Sequence, residues 1–244
     1  MNIFKFLILI ISFSSIYGQS SGKAVYGKKW VDPYTETERG QELKKTNPKL
    51  YKEYLQTEQE QNKLTKQLRY HLDFNKNEGL FYLEDIMSID DNPMIRLATG
   101  PFQGEYYQNN INDNVIWQLE SFDGDYLIDL NPVQWNLENK QKTINGYKCY
   151  KAVGEEKTSN NGNEVTTQVV AWYAPDIPFN FGPIGYNGLP GLIVSLSTRG
   201  EHYFLEDIQL SKDKKEIDEP TKGERMTYQE FVGMFDKKME KIRP

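Results

Sequence analysis

Residues 64–74 read Leu-Thr-Lys-Gln-Leu-Arg-Tyr-His-Leu-Asp-Phe, and this stretch decides the fold class. Leu64, Leu68, Tyr70, Leu72 and Phe74 fall on one side of a period of two, with Thr65, Gln67, Arg69, His71 and Asp73 on the other. That alternation is the pattern of a half-buried strand. Asn75 to Gly79 supplies turn residues, after which Leu80 to Met87 is expected to return antiparallel. A second hairpin is signalled by Val115 to Ser121, Asp123-Gly124 and Tyr126 to Leu130, because Asp-Gly tolerates the positive φ of a tight turn. Further strands are expected at residues 105–109, 134–137, 143–153, 164–174, 192–198 and 202–210, with Asn160 to Asn163 as a turn. Many short strands at this spacing predict a mainly β protein built on a single large curved antiparallel sheet, half-barrel-like. An aromatic content of 13% suits it, since rings pack well on a pleated face.

Working outward, residues 19–46 are polar and broken by Pro33 and Gly40, so an irregular arm is expected there. Asn47-Pro48 opens a helix over residues 48–62, with an N-cap followed by proline at the first helical position, and Leu50, Tyr51, Tyr54 and Leu55 form its narrow apolar stripe. Residues 19–62 thus read as a polar arm and helical insertion, and 63–244 as the β domain. A C-terminal helix follows the capping box of Thr227 and Glu230. Its stripe of Phe231, Met234, Phe235, Met239 and Ile242 covers the sheet, and Lys237, Lys238, Lys241 and Arg243 offset the helix dipole.

Residues 1–18 carry one lysine, a short apolar run and small residues, the pattern of a cleavable signal peptide. The run falls short of the roughly 20 apolar residues that span a bilayer, so no stable membrane anchor is expected after cleavage. The expected mature protein begins at Gln19 and is secreted, periplasmic or extracellular. A net charge of −6 without a Lys/Arg cluster argues against nucleic acid or an anionic membrane surface as partner. The single cysteine, Cys149, cannot form an intramolecular disulfide, so stability rests on the core, where Cys149 itself is expected.

Chemistry-bearing residues are sparse. Only two histidines, His71 and His202, are present, too few for a zinc site without carboxylates. No Gly-x-Ser-x-Gly elbow occurs, Ser195 lies in an apolar strand, and Asp123, Asp125 and Asp129 lack the order of a calcium loop. No catalytic residue, metal ligand or cofactor is therefore expected, and an enzyme is not favoured. The distinctive segment runs Ala171-Trp172-Tyr173-Ala174-Pro175-Asp176-Ile177-Pro178, Phe181-Gly182-Pro183 and Gly188-Leu189-Pro190-Gly191-Leu192-Ile193. Its prolines stop the strand, and Pro190-Gly191 fits the centre of a type II turn. Such a loop is preorganised, which makes Trp172, Tyr173, Leu189, Pro190 and Gly191 the candidate binding residues. Leu189 either plugs the end of the core or projects as a contact. Trp30, Trp117, Trp135 and Trp172 offer faces for a sugar, although sheet interiors are their expected place.

The unbroken hexapeptide 188–193, with Ile144-Asn145-Gly146-Tyr147-Lys148-Cys149, Lys151-Ala152, Ala171-Trp172-Tyr173, Ile177-Pro178 and Gly182-Pro183 in order, resembles the GLPGLI family of exported Bacteroidota proteins. The resemblance is dense from Trp135 to Leu210. It departs from the pattern at Asn163 and Glu164, where many members carry arginine, and at Ile184, where many carry an aromatic residue. Residues 32–61 resemble an insertion. The resemblance implies export and a curved β-sheet domain, and supplies no reaction. The resulting expectation is a non-catalytic envelope binding or interaction module whose partner is an envelope protein or a glycan. A hydrolytic enzyme of the periplasm or cell surface, and a carrier of an apolar ligand in the sheet concavity, are the alternatives.

Overall fold

The computed structural model describes residues 18–85, 93–99, 104–121, 124–160 and 163–242. Residues 1–17 of the expected signal peptide, Met87 of the expected return strand, Asp123 of the expected hairpin turn and Arg243 lie outside them. The strands are β1 (Ser21–Trp30), β2 (Tyr70–Asn75), β3 (Glu78–Leu83), β4 (Glu105–Asn109), β5 (Asn114–Ser121) and β6 (Gly124–Leu130). They continue with β7 (Trp135–Ile144), β8 (Tyr147–Asn160), β9 (Asn163–Ala174), β10 (Leu192–Thr198), β11 (Glu201–Ser211) and β12 (Glu224–Thr227). All lie in one open sheet, in the order β12-β6-β5-β4-β3-β2-β1-β11-β10-β9-β8-β7. Neighbours are antiparallel except β12, which adds to β6 in parallel and so departs from a purely antiparallel sheet. The helices are α1 (Glu38–Thr46), α2 (Pro48–Thr65), α3 (Pro93–Thr99) and α4 (Tyr228–Ile242).

The curvature follows from two hydrogen bonds. Gln108 on β4 donates to the Gly182 carbonyl (2.9 Å), and the Trp135 indole on β7 donates to the Asn187 carbonyl (2.8 Å). In a flat sheet β4 and β7, eight strand spacings apart in this order, would be separated by about 38 Å. Five residues of chain reach at most about 18 Å. The sheet therefore curls until both strands meet the same loop, and residues 175–191 fill the concavity.

The helix over residues 48–62 is present and slightly longer. Asn47 Oδ1 accepts from the Leu50 amide (3.1 Å), as its N-cap position requires. Leu64 belongs to this helix, and the strand read from residue 64 starts at Tyr70. Tyr70, Leu72 and Phe74 then face inward as the alternation demands. The expected capping box also forms, with Thr227 donating from its amide and hydroxyl to Glu230 Oε2 (2.8 Å each).

The irregular arm expected over residues 19–46 is corrected: Glu38–Thr46 form α1, capped by Thr37 Oγ1 accepting from the Gly40 amide. Residues 21–30, read within an irregular polar arm, form β1 in the interior of the sheet, between β2 and β11. Its inward residues are Ala24, Tyr26 and Lys28, and the lysine breaks the apolar alternation that marks a strand. Lys28 is tolerated because Glu201 on β11 pairs with it at 2.6 Å and the Thr99 carbonyl accepts from it at 2.7 Å. Such a partner is invisible from the local sequence.

Candidate functional site

The loop between β9 and β10 is folded by its prolines. The Phe179 amide donates to the Ile177 carbonyl (2.8 Å) and the Gly191 amide to the Leu189 carbonyl (2.8 Å), so Pro178 and Pro190 each centre a three-residue γ-turn. The Leu192 amide, which a type II turn would direct to Leu189, goes instead to Ile177 (3.0 Å). The type II reading is thus replaced by a tighter turn, because the returning chain claims that donor. Gly191 keeps the expected positive φ, at 149°, and a Cβ there would stand 2.3 Å from the Ala174 carbonyl oxygen.

The five candidate residues do not converge. Trp172 is half-buried on β9 with the Lys142 ammonium 4.0 Å above its ring. Tyr173, next on the strand, faces the other way and packs on Tyr150 (6.1 Å). Leu189 is 1% exposed and plugs the core, Gly191 is buried, and only Pro190 stands in solvent. Of the four tryptophans Trp117 alone is fully buried, and Cys149 lies in the core with burial pushing its thiol pKa up. His71 and His202 register with Val25 and Lys29 of β1, about 13 Å apart along that strand, and cannot share a ligand.

What the fold gathers instead is a cleft of about 300 Å³ on the inner side of the same loop. One wall is Tyr106 on β4 and Trp117 on β5, stacked in parallel with centroids 5.8 Å apart. Leu130, Pro132 and Val133 form another, and Ile184 and Tyr186 bring the loop to its floor. Tyr228 and Gln229, opening α4, complete the rim.

Two charges meet in this cleft. Glu156 on β8 pairs with the guanidinium of Arg199, and Tyr186 donates its hydroxyl to Glu156 Oε2 at 2.8 Å. The side chains are about a fifth exposed, 19% for Arg199 and 21% for Glu156. Burial opposes the charge of Arg199, but the nearby Tyr186, Glu156 and Tyr106 outweigh it and raise the pKa. Burial likewise drives the Tyr186 hydroxyl far above its usual range, so it remains a donor. Arg199 and Gly200 form the two-residue β10–β11 turn at φ 49° and 74°. Asn, Asp or Gly is the ordinary choice at the first of these positions, so an arginine held there is a sequence signal for a placed side chain. The signal for Glu156 is a carboxylate following Ala152 and Gly154 on the inward side of a strand.

Ile184 is the strained residue of the site. It is β-branched, buried, and left-handed at φ 46°, ψ 40°, a conformation that costs on the order of 1–3 kcal/mol unless its surroundings impose it.

A family model described as "Protein of unknown function (Porph_ging)" matches residues 154–195, a stretch that holds Glu156, the loop and most of β10. No curated protein matches the chain. Two solved structures of PNGF-II, in space groups P21 and C2, are similar to it at a TM-score of 0.50 and 14% identity over 88% of the chain. The chain spans about a third of their length, 33% and 32%, and at this identity the likeness concerns the fold.

Proposed function

We propose that this chain is an exported member of the GLPGLI family that acts without catalysis, as a binding module taking a neutral saccharide in the cleft. The observation that carries the reading is the Glu156–Arg199 pair, accessible from an aromatic-walled cavity and fixed by Tyr186. The pair is neutral as a unit and offers acceptors and donors side by side. A carboxylate ligand meets Glu156 and an ammonium meets Arg199, whereas adjacent sugar hydroxyls donate to one and accept from the other. Tyr106 and Trp117, 3% and 2% exposed, back the cleft with apolar edges, so the ion pair rather than a stacked ring carries the recognition.

The alternatives fit the cleft less well. An apolar ligand would strip water from both charges without replacing their hydrogen bonds, at a cost of several kcal/mol. Glycoside hydrolysis uses two carboxylates flanking the scissile bond. The other acid at this cleft, Glu155, is the neighbour of Glu156 on the same strand rather than a group across from it.

The test is a fluorescence titration of the chain from Gln19 with neutral oligosaccharides, read through its tryptophans. Saturable quenching is expected, with the sugar recovered intact and affinity reduced at least tenfold in the double variant Glu156→Gln/Arg199→Met. Saturation by a fatty acid instead supports the carrier, sugar cleavage supports the hydrolase, and no saturation with any neutral oligosaccharide overturns the reading.

A further inference from the structure

Behind the floor of the cleft lies a second, much smaller chamber of about 10 Å³. Tyr106 and Ile184 line both spaces, and Tyr70 and Phe81 line the inner one with Leu83 and Thr99. That volume is about what a single water-sized group, such as one hydroxyl, requires. Tyr70 is 6% exposed and rigidly placed, stacked on Phe81 (5.6 Å, 3°) and edge-on to Tyr203 (5.5 Å, 78°). Its hydroxyl nevertheless has no hydrogen-bond partner among the described residues. Buried hydroxyls are almost always paired, and one left unpaired in a rigid apolar frame calls for an explanation.

Ile184 borders both spaces. Its left-handed backbone is unfavourable for a β-branched residue, and Gly182 and Gly185 flank it closely, the latter at φ 83°. A return of Ile184 to ordinary φ would relieve that strain, and the flanking glycines can absorb such a change.

We propose that the chamber is a subsite of the saccharide cleft, in which the exocyclic hydroxymethyl arm of a hexose passes Ile184 and hydrogen-bonds the Tyr70 hydroxyl. The inference rests on the saccharide reading of the cleft. The arm has the required chemistry: one carbon to span the passage at Ile184, and one hydroxyl to fill the chamber and pair with Tyr70. A ring hydroxyl lacks the extra carbon of this arm, and a charged arm would be desolvated among rings without a counter-ion.

The test compares two probes that differ in this arm alone, β-1,4-linked glucose oligomers and β-1,4-linked xylose oligomers of equal length. Titrated calorimetrically against the chain from Gln19, the glucose series is expected to bind about tenfold more tightly, the discrimination a single hydrogen-bonded group in a small pocket readily supplies. Tyr70→Phe removes an oxygen with no protein partner, so its melting temperature should match wild type while its preference for glucose over xylose disappears. Ile184→Gly makes the positive φ free and widens the passage, and should strengthen glucose binding without strengthening xylose binding. Equal affinity for the two series in the wild type, or a preference that survives Tyr70→Phe, overturns the subsite and leaves the saccharide cleft standing. Failure of both series to bind overturns the cleft reading and the subsite with it.

Discussion

Two ion pairs sit two residues apart on the β10–β11 turn and differ in one respect. Glu201 holds Lys28 with side chains 3% and 0% exposed, while Arg199 holds Glu156 with side chains 19% and 21% exposed. The first is sealed. Tyr203 donates to Glu201 (2.9 Å), Lys28 donates to the Thr99 carbonyl, and its ammonium lies 4.6 Å from the Trp30 ring. Both charges are spent inside the protein, joining β1, β11 and the end of α3. The second pair opens on a cavity where a ligand can reach both charges. A buried pair with every valence used is architecture, whereas one with a face left towards a cleft has something to offer.

The largest effect should come from the sealed pair. Lys28→Met leaves the Glu201 carboxylate buried without its counter-charge and should cost about 3–5 kcal/mol in urea unfolding. Lys28→Met/Glu201→Leu removes both charges and should recover much of that loss. Equal instability of the single and double variants would show that the Lys28–Glu201 contact is not what holds β1 in place.

Next comes the loop that supports the open pair. Leu189→Ala empties a fully buried site at the hexapeptide and should destabilise by about 2–5 kcal/mol. Because the same loop carries Tyr186 to Glu156, saccharide affinity should fall as well. A variant that keeps wild-type stability would contradict the packing of Leu189 in the core.

The sequence showed some of this plainly. The hairpins, the N-cap at Asn47, the capping box at Thr227, and the inward set Tyr70, Leu72 and Phe74 follow from periodicity and turn chemistry, which are local. β1 was hidden because Lys28 is apolar-facing only by virtue of Glu201, about 170 residues away in sequence. The cleft was hidden for the same reason, since Glu156 and Arg199 meet only once β8, β9 and β10 pair and the loop brings Tyr186 to them. The hexapeptide drew the eye to Leu189 and Gly191, which hold the loop, while Tyr186 just before it, Arg199 beyond it and Glu156 two strands away face the cleft.

A smaller effect tests the opposite face of the same turn. His202 follows Glu201 and points away from it, with Ser197 Oγ 2.7 Å from its Nδ1. Burial first, then Lys29 and Lys142, lower its pKa to about 4. The unfolded chain therefore takes up this proton first, near its ordinary value of about 6.5. Stability is complete above that pH and is lost as pH falls from about 6.5 towards 4. Allowing for solvent screening of a half-buried group, the loss is about 1 kcal/mol. Urea midpoints across that window should fall in the wild type and fall less in His202→Asn. Identical pH profiles would remove His202 as the source.

The smallest stability effect should come from the open pair itself, and it completes the comparison. In Glu156→Gln/Arg199→Met both charges go together, so no unpaired charge remains, and the amide oxygen that replaces the carboxylate can still accept from Tyr186. Because the pair is partly hydrated already, little desolvation is recovered and little attraction is lost, and the melting temperature should change by an amount equivalent to less than about 1 kcal/mol. Saccharide binding should nevertheless collapse, since the paired carboxylate and guanidinium that offer acceptors and donors side by side are gone. The sealed pair is then expected to govern stability and the open pair affinity. Large destabilisation of the Glu156/Arg199 double variant, matching that of Lys28→Met, would make both pairs structural and leave the cleft without its recognition element.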